Sequence, residues 1–292
     1  MERTFYAVQV GDNYDCDDGS TVKRTAYQMA RRYHKWYPGE EIRIAICTTE
    51  SDYVRDEIIV FEENMSEKIA AMKDLRNEDF SHKDLSGIDF SGKDLTGTKF
   101  SESDLRGANF SGATLKKTSF YDANLEDANF CNAEMSDVYA KRARLSGANL
   151  SGANLSGANL DHAEMIETDL SESNLYQAKL TEAYLSKTNL YKAKLIGADL
   201  SYAKIIKETD FEGTNCERAN FSEAGLDQVF FARARLVEAS FASAEMRKVY
   251  LIETDLTKAN FTGAAIIDVD FSDANLTDAD FTDTTNTSRR WW

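Results

Sequence analysis

From Leu75 onward, large apolar residues recur at every fifth position: Leu75, Phe80, Leu85, Phe90 and so on to Ile205. One extra residue enters between Ile206 and Asp210, and the register resumes at Phe211, Cys216, Phe221 and Leu226 as far as Phe281. This gives 27 units before the insertion and 15 after it. Two residues ahead of each large residue stands a small one, usually alanine (Ala108, Ala113, Ala123, Ala153), with Thr168, Ser173 or Val229 in places. A period of five matches neither a 3.6-residue helix nor a two-residue pleat, so the segment is an internal repeat. The stretch Leu145 to Leu160, LSGANLSGANLSGANL, shows the unit in its purest form.

The large residues are ordered by type. Phe80, Phe90, Phe100, Phe110, Phe120 and Phe130 alternate with Leu or Met, and Phe211, Phe221, Phe231, Phe241, Phe261, Phe271 and Phe281 repeat the spacing. With four units per turn, Phe stacks on two opposite faces and Leu on the other two. Small alanines then leave room for bulky rings across a narrow interior.

The A-(D/N)-L-x-x pattern, as in Ala123-Asn124-Leu125 and Ala198-Asp199-Leu200, resembles the pentapeptide-repeat family. The resemblance implies a mainly β fold, a right-handed, four-sided β-helix (solenoid), here of about ten coils over residues 75–283. Some members of that family mimic DNA, occupy the DNA-binding saddle of type II topoisomerases such as gyrase, and protect them from quinolone-type inhibitors.

Ahead of the repeat, residues 1–64 read as a small α+β domain of order β-α-β-β. Thr4–Val10, Ile42–Thr48 and Val54–Phe61 have strand character, with a turn over Thr49–Tyr53. Thr21–Tyr37 carries Val22, Ala26, Met29, Tyr33 and Tyr37 at helical spacing, and Pro38-Gly39 ends it. Residues 65–74 read as a short capping helix, and 284–292 as a tail. Lys73, Glu78, Lys83 and Lys93 stand where alanine is usual, which predicts distorted or open first coils. Trp291 and Trp292 end the chain. They suit either a cap near Ile266 and Phe281 or a homodimer contact at the C-terminal end.

Composition adds a charge of −16 from 50 acidic and 34 basic residues. That balance argues against direct nucleic-acid binding and for solubility or basic partners. No apolar run approaches membrane-spanning length, and the four cysteines have no metal-ligand spacing, so a cytoplasmic setting is expected. Cys216 reads as interior filler and Cys131 as outward-facing. The acidic loop Asp12–Gly19 invites a calcium reading, but Tyr14, Cys16 and Thr25 fall where carboxylates belong. His34 lies beside an apolar stripe, and His82 and His162 are four coils apart. No nucleophile-base motif or phosphate loop is present. We therefore expect no enzyme, metal or cofactor.

What remains is surface. Sorted by coil position, one Phe face carries Asp89, Asp169, Glu172, Asp210, Glu212, Glu253, Asp270 and Asp273 against only Lys192 and Arg233. The opposite Phe face is also acidic, while the Leu faces are near balance. Phe230 and Tyr250 replace Asp/Asn on neighbouring coils of the most acidic face, with Ile252 beside them. These residues make the candidate site for a protein partner. Tyr139, near Lys141, Arg142 and Arg144, is a second outward aromatic. For a DNA mimic the charge is sparse: residues 66–292 have a net charge of −11, whereas a ~50 Å rod of duplex carries about 30 charges. The corners, rich in Ser-Gly pairs, are expected to need small residues.

Overall fold

The computed structural model describes Asp74 to Asn286, residues 69 and 72, and the backbone of four strands near the N-terminus. The expected helix Thr21–Tyr37, His34, most of segment 65–74, and Trp291 with Trp292 lie outside the described residues. The chain divides into two compact units, Met1–Lys73 and Asp74–Trp292.

In the first unit, β1 (Thr4–Val10), β2 (Asn13–Asp15), β3 (Ile42–Thr48) and β4 (Ser51–Glu57) form an antiparallel sheet of order β2-β1-β3-β4. Two points correct the sequence expectation. Asn13–Asp15, assigned to the acidic loop, pairs with Val8–Val10 as a strand. β4 starts at Ser51 and takes up residues assigned to the turn. Asn and Asp are strand-poor residues, so composition hides β2; its pairing along β1 forms it.

The second unit is a parallel β-solenoid. Each outward residue before a central one pairs with its counterpart 20 residues on: Asp79 with Lys99, Asp84 with Asp104, Asp89 with Asn109 and Asp94 with Thr114. Four such ladders run side by side, and after the inserted residue the step across it is 21, as from Asn189 to Asp210. Longer strands form on the ladder through Glu164. They are β5 (Glu164–Ile166), β6 (Tyr184–Ser186), β7 (Lys204–Asp210), β8 (Gly225–Phe230), β9 (Glu245–Tyr250), β10 (Ala265–Ile267) and β11 (Thr285–Asn286), joined in sequence order into one parallel sheet.

The five-residue unit closes its own hydrogen-bond account. In the unit of Phe110, the Phe110 amide donates to Asn129 O at 2.7 Å and the Gly112 amide to Cys131 O at 2.9 Å. The Asn109 amide donates back to Ile88 O at 2.9 Å, and the Ala113 amide closes the turn on Phe110 O at 3.0 Å. One amide is left, that of Ser111, and the Asn109 side chain accepts from it at 3.1 Å. Ser151 on Asn149, Thr262 on Asn260 and Ser272 on Asp270 repeat this. The Asp/Asn of the repeat is therefore a turn cap. Where threonine replaces alanine, its hydroxyl is satisfied too: Thr118 Oγ1 donates to Leu95 O at 2.8 Å.

The Phe columns form as expected. Phe90 and Phe110 stack with centroids 4.9 Å apart, and Phe110 and Phe130 at 4.8 Å. Phe100 and Phe120 meet Phe110 edge-on across the interior at 5.8 and 5.7 Å. Cys216 is buried, and burial pushes its thiol up to about 12. Cys131 is half-buried on the surface. The Lys-bearing units are not distorted: the Leu85 and Leu95 amides keep their 2.7 Å bonds to the next coil. Lys83 and Lys93 are half-exposed, whereas Ala108 and Ala113 are fully buried.

The corners need a backbone conformation, not a small side chain. The second corner residue has φ near +60° throughout, and Lys117, Tyr202 and Glu238 adopt it as well as glycine. Gly157 is a case where size matters also, because a Cβ there meets Asp137 Oδ1 at 2.6 Å. Gly157→Ala is expected to cost about 1 kcal/mol. Asp137→Ala in the same chain should recover part of it, read as a double-mutant cycle in urea. Equal costs with and without Asp137 would rule out the clash.

Candidate partner-binding surface

The candidate residues lie on one ladder and its adjoining corner. Asp210, Phe230, Tyr250 and Asp270 pair in that order on consecutive coils. Asp89 and Asp169 stand earlier on the same ladder, separated by Asn109, Asn129 and Asn149. Glu172, Glu212, Ile252, Glu253 and Asp273 occupy the corner beside it. Glu172, Glu253 and Asp273 are exposed, and Glu212 and Ile252 are half-exposed.

Pairing across coils changes the charge pattern. Arg233 takes Glu212, so one of the eight acids on this face is neutralised. Asp89 and Asp169 each accept from the next asparagine, Asn109 and Asn189, at 3.0 Å. Elsewhere Lys187 meets Glu167 at 2.9 Å and Arg218 meets Glu238 at 2.9 Å. Such exposed pairs contribute little stability each, but they flatten the surface potential. His82 and His162 each face a glutamate one coil on, Glu102 and Glu182, at 3.4 Å. Among the described residues no cluster of side chains could hold a metal ion, and no helix is long and apolar enough to cross a membrane.

Phe230 and Tyr250 are half-buried, not fully exposed. Their rings stack on each other with centroids 5.2 Å apart and planes 15° apart. Neither can cap its turn. The amides of Ala232 and Ile252, which an Asn side chain would satisfy, have no partner among the described residues. Each loss costs about 1 kcal/mol. The rings also sit where the solenoid is least regular. The inserted residue gives Lys207 and Glu208 consecutive positive φ values, 53° and 64°, and shifts the register between Ile206 and Thr209. Beside this bulge β7, β8 and β9 run unbroken across a corner that is a turn in earlier coils. Phe230 and Tyr250 end two of these strands.

Tyr139 is outward as expected, but sequence reasoning missed Tyr121, on which it stacks at 5.9 Å, and Tyr176 and Tyr202, which are about half exposed. Corner positions held by Tyr instead of Ser or Gly were the available signal. A shallow depression on the same coils is lined by Asp122, Lys141, Arg142, Arg144, His162 and Glu164. Its arginines are already paired, Arg142 with Asp122 and Arg144 with Glu126.

Several ladder aspartates are more acidic than usual because they accept turn hydrogen bonds. Asp94 is lowered by the hydroxyl and amide of Thr96, Asp255 by the Thr257 hydroxyl, and Asp89 by the Ser91 amide. A carboxyl whose folded pKa is depressed contributes stability above its unfolded value of about 3.9. That contribution disappears as pH falls through the folded value. Replacing Asp89, Asp94 and Asp255 together by Asn keeps the acceptor at every pH. The drop in melting temperature between pH 6 and pH 3 should therefore be smaller in the triple variant than in the parent. An equal drop would show that these caps do not carry the acid sensitivity.

No curated protein matches the chain. Among solved structures, HetL, a pentapeptide repeat protein involved in heterocyst differentiation regulation in Nostoc sp. strain PCC 7120, is 24% identical, with 76% of this chain and 92% of that chain covered and a TM-score of 0.38. Trypsin-treated QnrB1, a plasmid-mediated fluoroquinolone resistance protein, is 15% identical over 72% of this chain and 90% of its own, with a TM-score of 0.45. A pentapeptide repeat protein of the Arabidopsis thaliana thylakoid lumen is 31% identical over 35% of this chain and 63% of its own, with a TM-score of 0.25. The family model for pentapeptide repeats matches from residue 74 to residue 283, well over half the chain. The five-residue period, the turn-capping Asp/Asn and the 20-residue ladder step thus have one origin: the chain belongs to the pentapeptide-repeat family.

Proposed function

We propose that the chain is a non-enzymatic protein-binding scaffold of the cytoplasm. Its rod is a right-handed, four-sided β-helix of about ten coils over residues 75–283. Residues 1–64 form a recruiting domain, 65–74 a capping linker, and 284–292 a tail whose Trp291 and Trp292 cap the rod or join two copies. The partner contacts the face built by Asp210, Phe230, Tyr250, Ile252 and Asp270. One observation carries this reading: at Phe230 and Tyr250 the repeat gives up two turn caps for a stacked ring pair on its most acidic face. Sites that break a local rule are where function is expected.

The test is affinity capture with the full chain and with Phe230→Asn/Tyr250→Asn. Asn is the residue this ladder normally holds, so the variant regains its caps and should melt no lower than the parent. A specific partner is expected with the parent and not with the variant. Equal capture by both would place the contact elsewhere.

A second reading, a DNA mimic that binds gyrase, draws on the acidity of the two Phe faces and on the fluoroquinolone resistance named for QnrB1. Three features weigh against it. Asparagines interrupt the acidic ladder between Asp89 and Asp169. Glu212 is neutralised. Two rings occupy the ladder between Asp210 and Asp270. The purified chain is expected neither to inhibit gyrase supercoiling nor to protect gyrase from a fluoroquinolone. Inhibition would favour the mimic.

A further inference from the structure

The four-residue step Asp210, Phe230, Tyr250, Asp270 selects a ligand chemistry. A parallel ring pair has two outer faces. Because the rings occupy consecutive rungs, the Phe230 outer face is toward Asp210 and the Tyr250 outer face toward Asp270. Each carboxylate uses one oxygen internally. Asp210 Oδ1 accepts from the Glu212 amide at 2.7 Å, and Asp270 Oδ1 from the Ser272 amide at 2.9 Å. The second oxygen of each has neither a donor nor a cation among the described residues. Each end of the ring pair therefore combines an aromatic face with a carboxylate one rung away, a spacing of ~4.8 Å.

We propose that this step reads arginine: it binds an arginine-bearing segment of a partner protein, each guanidinium lying on an outer ring face and donating to the adjacent Asp210 or Asp270. The inference rests on the reading of this face as the partner contact and gives that partner its chemistry. A guanidinium is planar, so it adds as one more layer to a parallel stack while its edge N–H groups remain free for a carboxylate. An ammonium is compact and strongly hydrated and gains less from such a layer. Cations within about 6 Å of a ring centroid are attracted by its face. The chain does this with its own side chains nearby: Lys192 lies 4.8 Å from the Tyr191 centroid and Lys204 lies 5.5 Å from that of Tyr184. The ring pair between Asp210 and Asp270 has no such cation among the described residues. The chain's −16 charge favours a basic segment at longer range.

The experiment uses the full chain and two labelled peptides of equal charge, (Arg-Gly)4 and (Lys-Gly)4, read by fluorescence anisotropy at 150 mM salt. The parent is expected to bind the arginine peptide about fivefold more tightly than the lysine peptide. In Phe230→Asn/Tyr250→Asn the two affinities should converge at the weaker value. In Asp210→Asn/Asp270→Asn both should weaken while some arginine preference remains. Circular dichroism and melting establish that both variants fold. Equal affinities in the parent, or a preference that survives loss of both rings, would overturn the assignment. So would a dimer in light scattering that the ring variant dissociates, because a second copy would then cover the face. If affinity capture depends on the rings but the peptides show no preference, the contact surface stands and the arginine assignment alone fails.

Discussion

Replacing Phe110 with alanine should destabilise the rod by about 3–5 kcal/mol. Phe110 is fully buried, with Phe90 and Phe130 stacked on its two faces and Phe100 and Phe120 against its edges. The cost of a large-to-small change depends on how far the surroundings collapse. Here they are held apart, because the Phe110 and Asn109 backbones are bonded to the coils on both sides. The loss should therefore fall in the upper part of that range. The chain also indicates how to recover some of it. At one central position it carries alanine, Ala140, and there the usual small residue is the larger Val138; both are buried. Volume has moved two positions along the same unit. Ala108→Val added to Phe110→Ala should accordingly restore part of the stability. Urea unfolding followed by far-UV circular dichroism and by aromatic absorbance would measure both, since a solenoid can open by segments. A loss below about 1 kcal/mol would mean that the Phe columns are not the principal support.

The interior was legible in the sequence and the exterior much less so. Period, inward positions and Phe columns follow from residue size alone, because the interior is dry and close-packed. The Asp/Asn position was visible as a pattern, but its purpose was not. It caps an amide two residues on, and only the coil geometry shows that this amide is the one left over. Corners misled for a related reason. Frequent glycine suggested small side chains, whereas the constraint is a positive φ that Lys117 and Tyr202 also satisfy. Surface charge suffered most. Glu212 counted as a free acid because its partner, Arg233, is 21 residues away. The spacing is the 20-residue ladder step plus one, from the first corner position of one coil to the second corner position of the next, so applying the step to corner side chains as well as to faces would have found it. The Phe230 and Tyr250 substitutions were legible as departures from the repeat. Their stacking, and their place beside the bulge at Lys207 and Glu208, required the structure.

The second large effect is expected from Ala153→Lys. Ala153 is fully buried at the small position of its unit. Lys93 occupies the same position on the same ladder, three coils nearer the start of the repeat, and is half-exposed. The residue type alone does not decide whether lysine is tolerated there; access to water does. At Ala153 the coils on either side present Ala133 and Ser173, both buried. The ammonium would have to lose its hydration, lose its proton, or push the coils apart. Each route costs several kcal/mol. The variant should lose at least about 4 kcal/mol, or fail to fold in the central coils while the outer ones persist. Ala153→Ser is the matched control. Ser173, next on this ladder, is buried with its hydroxyl donating to Leu170 O at 2.7 Å. Serine at 153 can make the corresponding bond to Leu150 O, so its cost should stay within about 1 kcal/mol. Proteolysis of the central coils, compared with thermal melting, separates local opening from global unfolding. If Ala153→Lys melts within a few degrees of the parent, the interior admits water or a charged side chain. The dry, size-selected core inferred from the repeat would then be wrong, and with it the reason lysine is confined to the first units.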